Sequence, residues 1–157
     1  MKAFFKGFAY AGRGLAMLFR ERNFRFHLCA AVFVSWFAAR FYELSRSEWA
    51  ILLLTFGAVM GLEAVNTALE YLADRVTTEH DGLIRRSKDC AAGAVLIASI
   101  FAVGVGAALF WDLECFADIA EYFTAELWRI FVFAAAVAGS CALVFLPFKS
   151  KNNNLKL

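Results

Sequence analysis

Four apolar runs, at about 26–41, 49–70, 90–111 and 128–148, occupy about half of the 157 residues and dictate what this chain can become. As helices rising ~1.5 Å per residue, three of them are long enough to cross ~30 Å of hydrocarbon. The first is short and needs Arg25 and Arg40 to snorkel toward the two interfaces. Every backbone polar group must be satisfied within the hydrocarbon, and no strand-like alternation runs through these segments, so helices are the spanning element. Composition agrees. With 62% apolar and only 19% charged residues, a single Pro and 18 Phe, the chain is too greasy for a soluble domain. It is read as an all-α integral membrane protein.

The basic residues give that protein a direction. With the N-terminus inside, the inner segments hold Lys2, Lys6, Arg13, Arg20, Arg22 and Arg25, then Arg75, Arg85, Arg86 and Lys88, then Lys149, Lys151 and Lys156. Residues 112–126 carry five acids and no base. The positive-inside rule then predicts four spans with both termini cytoplasmic. Residues 2–21 read as an amphipathic helix in the membrane surface, its basic face opposite Phe4, Phe8, Leu15, Leu18 and Phe19. The N-terminus is read as retained, because no isolated apolar core or cleavage pattern is present. Residues 112–127 read as a short outer interfacial helix, residues 74–89 as a polar inner loop, and the tail 149–157 as disordered. Ser87 is expected to cap the third span, leaving Lys88 and Asp89 in its first turn. Ala94, Ala98, Ala102 and Gly106 recur every four residues, a spacing that lets helices approach closely. Cys29, Cys90, Cys115 and Cys141 show no metal-like or redox pairing and receive no role.

The chemistry lies in "GLEAVNTALEYLAD", residues 61–74. At 100° per residue Glu63, Asn66, Glu70 and Asp74 share an arc of about 80° on one helical face. An acid well inside a span costs about 2.5–3.5 kcal/mol on insertion scales, a cost that Glu63 bears most fully. Asp74, nearest water, is as readily a partner for Arg75 or Arg85. Glu63 and Glu70 on one face repel unless a cation lies between them, and no Lys or Arg lies in the core of any run. A divalent metal fits, and carboxylate oxygens suit Mg²⁺. The stripe sits at one end, and the other three runs have no ionisable residue in their cores, unlike a transport path. Neither a Walker A sequence nor a G-x-G-x-x-G loop appears.

These residues carry a resemblance. "E-x-x-N-T-A-L-E-x-x-x-D" at 63–74, "R-S-K-D-C-A-A-G-A-V-L" at 86–96 and "ERNFRFH" at 21–27 resemble the bacterial integral-membrane diacylglycerol kinase and undecaprenol kinase family, nearest its undecaprenol kinase branch. The likeness covers about residues 4–111. It implies a lipid kinase core over 1–111, with a surface helix and three spans. Residues 112–157 then add the outer segment, a fourth span and a polar tail. It also implies a homotrimer in the bacterial plasma membrane that transfers phosphate from Mg·ATP to a lipid alcohol at the cytoplasmic face. Carried over by position, Glu63 is the general base, with Asn66 beside it. Glu21 and Glu70 hold Mg²⁺. Lys88 and Asp89 contact the nucleotide, as do Tyr10, Glu79 and His80 on its adenosine side. On a continuous helix Tyr10 and Glu21 stand roughly 16 Å apart, about the reach of an extended nucleotide.

Undecaprenol is the expected acceptor and diacylglycerol the close alternative. A catalytically dead scaffold of the same fold is the rival from another class. A costly buried Glu63 argues against it. An ion or proton transporter would need an ionisable residue on a second span. No nucleic-acid partner is expected.

Overall fold

The computed structural model describes residues 2–76 and 81–147; of Lys2 and Ala3 only the backbone is described. Within them the chain forms α1 (Lys2–Leu18), α2 (Arg22–Phe41), α3 (Arg46–Val76), α4 (Gly82–Phe110), α5 (Leu113–Ala125) and α6 (Leu127–Phe145). No strand occurs among the described residues. Four of these helices, α2, α3, α4 and α6, are long and apolar enough to cross a membrane. This is a multi-pass, all-helical membrane protein, as its apolar runs require.

The helices outrun the apolar segments that announced them. The 31 residues of α3 span roughly 46 Å, well beyond the hydrocarbon. Most of the segment read as a polar loop is therefore helical. Residues 74–76 finish α3, and α4 begins at Gly82, not Ser87. The cap is Asp81, whose carboxylate accepts from the N–H groups of Leu83 (2.7 Å) and Ile84 (3.2 Å). Ser87, Lys88 and Asp89 lie in the second turn, where the backbone N–H groups are already spent. At the other extreme α6 stops at Phe145, because Pro147 cannot continue it.

The N-terminal helix α1 is also shorter than expected. It ends at Leu18, and Phe19 and Arg20 form a turn. Glu21 then takes an extended backbone (φ −78°, ψ 130°) and begins α2. The 16 Å separation of Tyr10 and Glu21 assumed an unbroken helix and does not hold.

Antiparallel α3 and α4 make the most extensive pairing, with α2 against α3 and α6 against α2. On α4 the half-buried face is Ala94, Ala98, Ala102 and Gly106, the small-residue stripe, while Leu96, Ile97, Phe101 and Val103 point outward. The corresponding small residues of α6, Ala134, Ala138 and Ala142, are exposed. That helix meets α2 through Phe133, whose ring lies 5.7–5.8 Å from those of Phe33 and Phe37. At the α5 end, the Tyr42 hydroxyl donates to the carbonyl of Phe110 (3.0 Å). There also Arg40 and Arg129 both lie over the Tyr122 ring, at 4.5 and 4.3 Å. The opposite end gathers the α1–α2 elbow, the end of α3 and the start of α4, and there the polar stripe emerges.

Candidate functional site

The stripe on α3 is graded by depth. Glu63 is 3% exposed and Asn66 5%, with Val59 and Thr67 buried on the same side. Glu70, one turn on, is exposed, and the Asp74 side chain is 68% exposed. The face therefore runs from a buried acid to a wet one within eleven residues. Asn66 links the two regimes by donating from Nδ2 to Glu70 Oε1 (3.1 Å). Its own Oδ1 is buried without a hydrogen-bond partner. Among the described residues no group donates to the Glu63 carboxylate, which lies three residues before the partnerless Asn66 on the same face.

Two further elements bring charges to the wet end. Glu21, at the elbow, accepts a short hydrogen bond from the Tyr71 hydroxyl of α3. Lys88 of α4 donates to Asp74 Oδ1 at 2.7 Å. Glu70 lies within electrostatic reach of both the Tyr71 hydroxyl and the Lys88 ammonium. Asp74 is thus the partner of Lys88, rather than of Arg75 or Arg85; Arg85 stands 3.9 Å from Asp89 on its own helix. Lys88 offers an ammonium but no helix-end N–H groups, which corrects the expectation drawn from a cap at Ser87. Tyr10 lies on the exposed face of α1 with the Arg13 guanidinium 4.9 Å over its ring. Glu79 and His80 fall outside the described residues. Tyr71 is the member of the cluster that spacing did not single out; its signal was its place beside Glu70 at the edge of the stripe.

Among the described residues no three His, Cys, Asp or Glu side chains form a ready-made metal cage. What is present still suits Mg²⁺, which is bound by one or two carboxylates together with substrate phosphates and water. Glu21 and Glu70 are hard oxygen donors on neighbouring elements, and the partnerless Asn66 Oδ1 lies beside Glu70.

An apolar slot of about 360 Å³ opens between α2, α3 and α4, lined by Ala31, Phe56, Val59, Met60, Ala102 and Phe110 among others. Val59 and Met60 lie about one turn from Glu63 along α3, although Glu63 itself does not line the slot. A larger groove of about 520 Å³, between α2, α5 and α6, contains none of the site residues.

The family described as prokaryotic diacylglycerol kinase matches residues 9–110. The chain is 40% identical to an undecaprenol kinase of Bacillus subtilis over 111 residues, covering 70% of this chain and 89% of that protein. It is 45% identical to a diacylglycerol kinase of Synechocystis over 104 residues, 65% of this chain and 59% of that longer protein. Against the Escherichia coli K12 diacylglycerol kinase it is 33% identical over 108 residues, 68% of this chain and 88% of the relative. No solved structure gives a significant match. The chain belongs to the prokaryotic diacylglycerol kinase family and is, by that membership, a membrane lipid kinase.

Proposed function

We propose that this protein transfers the γ-phosphoryl group of Mg·ATP to the hydroxyl of undecaprenol at the cytoplasmic face of the bacterial plasma membrane. The observation that carries the reading is the position of Glu63. It is a 3% exposed carboxylate one turn from an apolar slot, on a face that leads out to Glu70, Glu21 and Lys88.

The roles follow from what each group can reach. The slot takes the first part of the lipid chain and brings its terminal hydroxyl to Glu63. The hydroxyl oxygen bonds to the γ-phosphorus as the bond from that phosphorus to the β–γ bridging oxygen breaks. The hydroxyl proton passes to the Glu63 carboxylate, and ADP leaves. Asn66 steadies the Glu70 carboxylate beside the base. Glu21 and Glu70 would hold Mg²⁺, which, when bound, neutralises phosphate charge. Lys88 presents its ammonium to the nucleotide phosphates, with Asp74 holding it in place and Asp89 one residue on. Tyr10, Glu79 and His80 are proposed for the adenosine side. Holding reactants in such a geometry is most of what phosphoryl transfer asks of a protein.

Orientation rests on the basic residues around the elbow, the α3–α4 connection and the tail, which favour both termini inside, with amphipathic α1 in the membrane surface. The family match over residues 9–110 supports 1–111 as the kinase core, with 112–157 as an addition; a homotrimer is the assembly we propose from the resemblance. Undecaprenol is preferred because that relative combines 40% identity with a match over 89% of its length, whereas the Escherichia coli diacylglycerol kinase, matched over 88% of its length, is 33% identical. Diacylglycerol remains the second reading, favoured by the 45% identity to the cyanobacterial enzyme. A scaffold without catalysis would have no reason to bury Glu63. Mg·ATP separates the two: it should raise the melting temperature of the detergent-solubilised protein. No shift at saturating Mg·ATP would favour the scaffold.

A further inference from the structure

The last turn of α6 ends against the elbow between α1 and α2, and one side chain joins them. Arg25, 4% exposed, donates from Nη1 to the carbonyls of Phe19 (3.1 Å) and Arg20 (2.5 Å). From Nη2 it donates to the carbonyls of Val144 (2.8 Å) and Leu146 (3.1 Å). Both sets of acceptors lie at helix C-termini, where carbonyls lack helical donors and carry partial negative charge. A guanidinium, planar and rich in donors, satisfies four carbonyls on two sides at once; an ammonium cannot. Arg25, expected to snorkel from the end of a short apolar run, directs these donors to helix-end carbonyls of the protein.

What this clamp holds is the segment that aims Glu21. The Glu21 N–H donates to Leu18 O (2.9 Å), its carbonyl accepts from the Arg25 N–H (3.2 Å), and its carboxylate accepts from Tyr71. Arg25 sits one helical turn along α2 from Glu21. The other half of the clamp belongs to α6, which lies wholly outside the residues that match the family.

We propose that Arg25 is a positioning residue that locks the end of the fourth helix onto the elbow and so fixes Glu21 against Tyr71. The fourth helix then sets the geometry of the metal-binding edge of the nucleotide site. The role of Glu21 rests on the proposed kinase reading; the clamp itself does not.

The test uses the full chain in detergent, with Arg25→Gln, the charge-conserving Arg25→Lys as the variant to rely on should the first not fold, and Arg129→Gln at the far end as control. Hydrogen exchange is read without nucleotide. Loss of the clamp should raise exchange about tenfold at the amides of Phe19, Arg20, Glu21 and Leu146 together. Binding of Mn²⁺·ATP, followed by the free-manganese spin resonance signal, should weaken by about tenfold, while the KM for lipid stays within twofold. Arg25→Lys should fall between, and Arg129→Gln should change neither reading. Unchanged exchange at the elbow would overturn the clamp, whatever the chain catalyses. Raised exchange with unchanged Mn²⁺·ATP affinity would overturn the positioning role and leave the kinase reading intact. Failure of the unsubstituted chain to bind Mn²⁺·ATP would overturn the kinase reading, and the positioning role with it.

Discussion

Glu63 and Glu70 occupy one face of one helix, one dry and the other wet, and the proposed mechanism gives them different work for that reason. Replacing Glu63 by Gln keeps shape and hydrogen-bonding capacity but removes the proton acceptor. Turnover should fall by about 10²–10⁴-fold, the range of a general base, while Mn²⁺·ATP binding and assembly persist. Phosphorylation of lipid at the normal rate would show that another group takes the proton. Replacing Glu70 by Gln should instead abolish the thermal shift given by Mg·ATP; an undiminished shift would remove Glu70 from the metal site. The stripe was legible in the sequence because spacing on a helix fixes angle, and an acid among apolar neighbours is conspicuous. Tyr71 and Arg25 were not legible in the same way. Tyr71 finds its partner 50 residues away at Glu21, and Arg25 finds carbonyls 119 and 121 residues away. Backbone carbonyls leave no trace in residue identity.

The elements were legible in number and order, and less so in extent. Apolar periodicity marks where the hydrocarbon begins, whereas a helix begins where its first N–H groups find a cap. For α4 these points differ by about two turns, since the apolar run starts at Cys90 and the cap is Asp81. The extra length matters to the site. It carries Lys88 on a formed helix alongside Asp74 of α3, so the cation proposed to face the phosphates is held between two helices instead of on a loop. Asp81→Ala should cost about 1 kcal/mol of stability, read from the denaturation midpoint in detergent, with Lys88-dependent nucleotide binding weakened only slightly. No loss of stability would mean that the cap contributes nothing to the start of α4. The elbow teaches the converse: an amphipathic pattern that reads as one helix from 2 to 21 is broken at Phe19 and Arg20, and α2 starts afresh at Arg22.

At the scale of the molecule, the chain buries little against itself and turns Leu, Ile, Val and Phe side chains outward along α4 and α6. Lipid or neighbouring copies suit that surface, where water would not. Native mass measurement in detergent should give three copies per particle; a monomer with full activity would contradict the proposed assembly. The fourth helix, outside the family match, is tied to the working end by Arg25 and to the far end by Phe133. The central claim is that the buried acid, the slot behind it and the charges beside it form a kinase site for a polyprenol. Its most direct measurement follows labelled γ-phosphate from Mg·ATP to undecaprenol and to diacylglycerol, side by side, with purified protein in mixed micelles. Faster transfer to undecaprenol, lost in Glu63→Gln, is the result predicted here. Faster transfer to diacylglycerol would contradict the choice of acceptor, and transfer to neither from a folded particle would contradict the site itself.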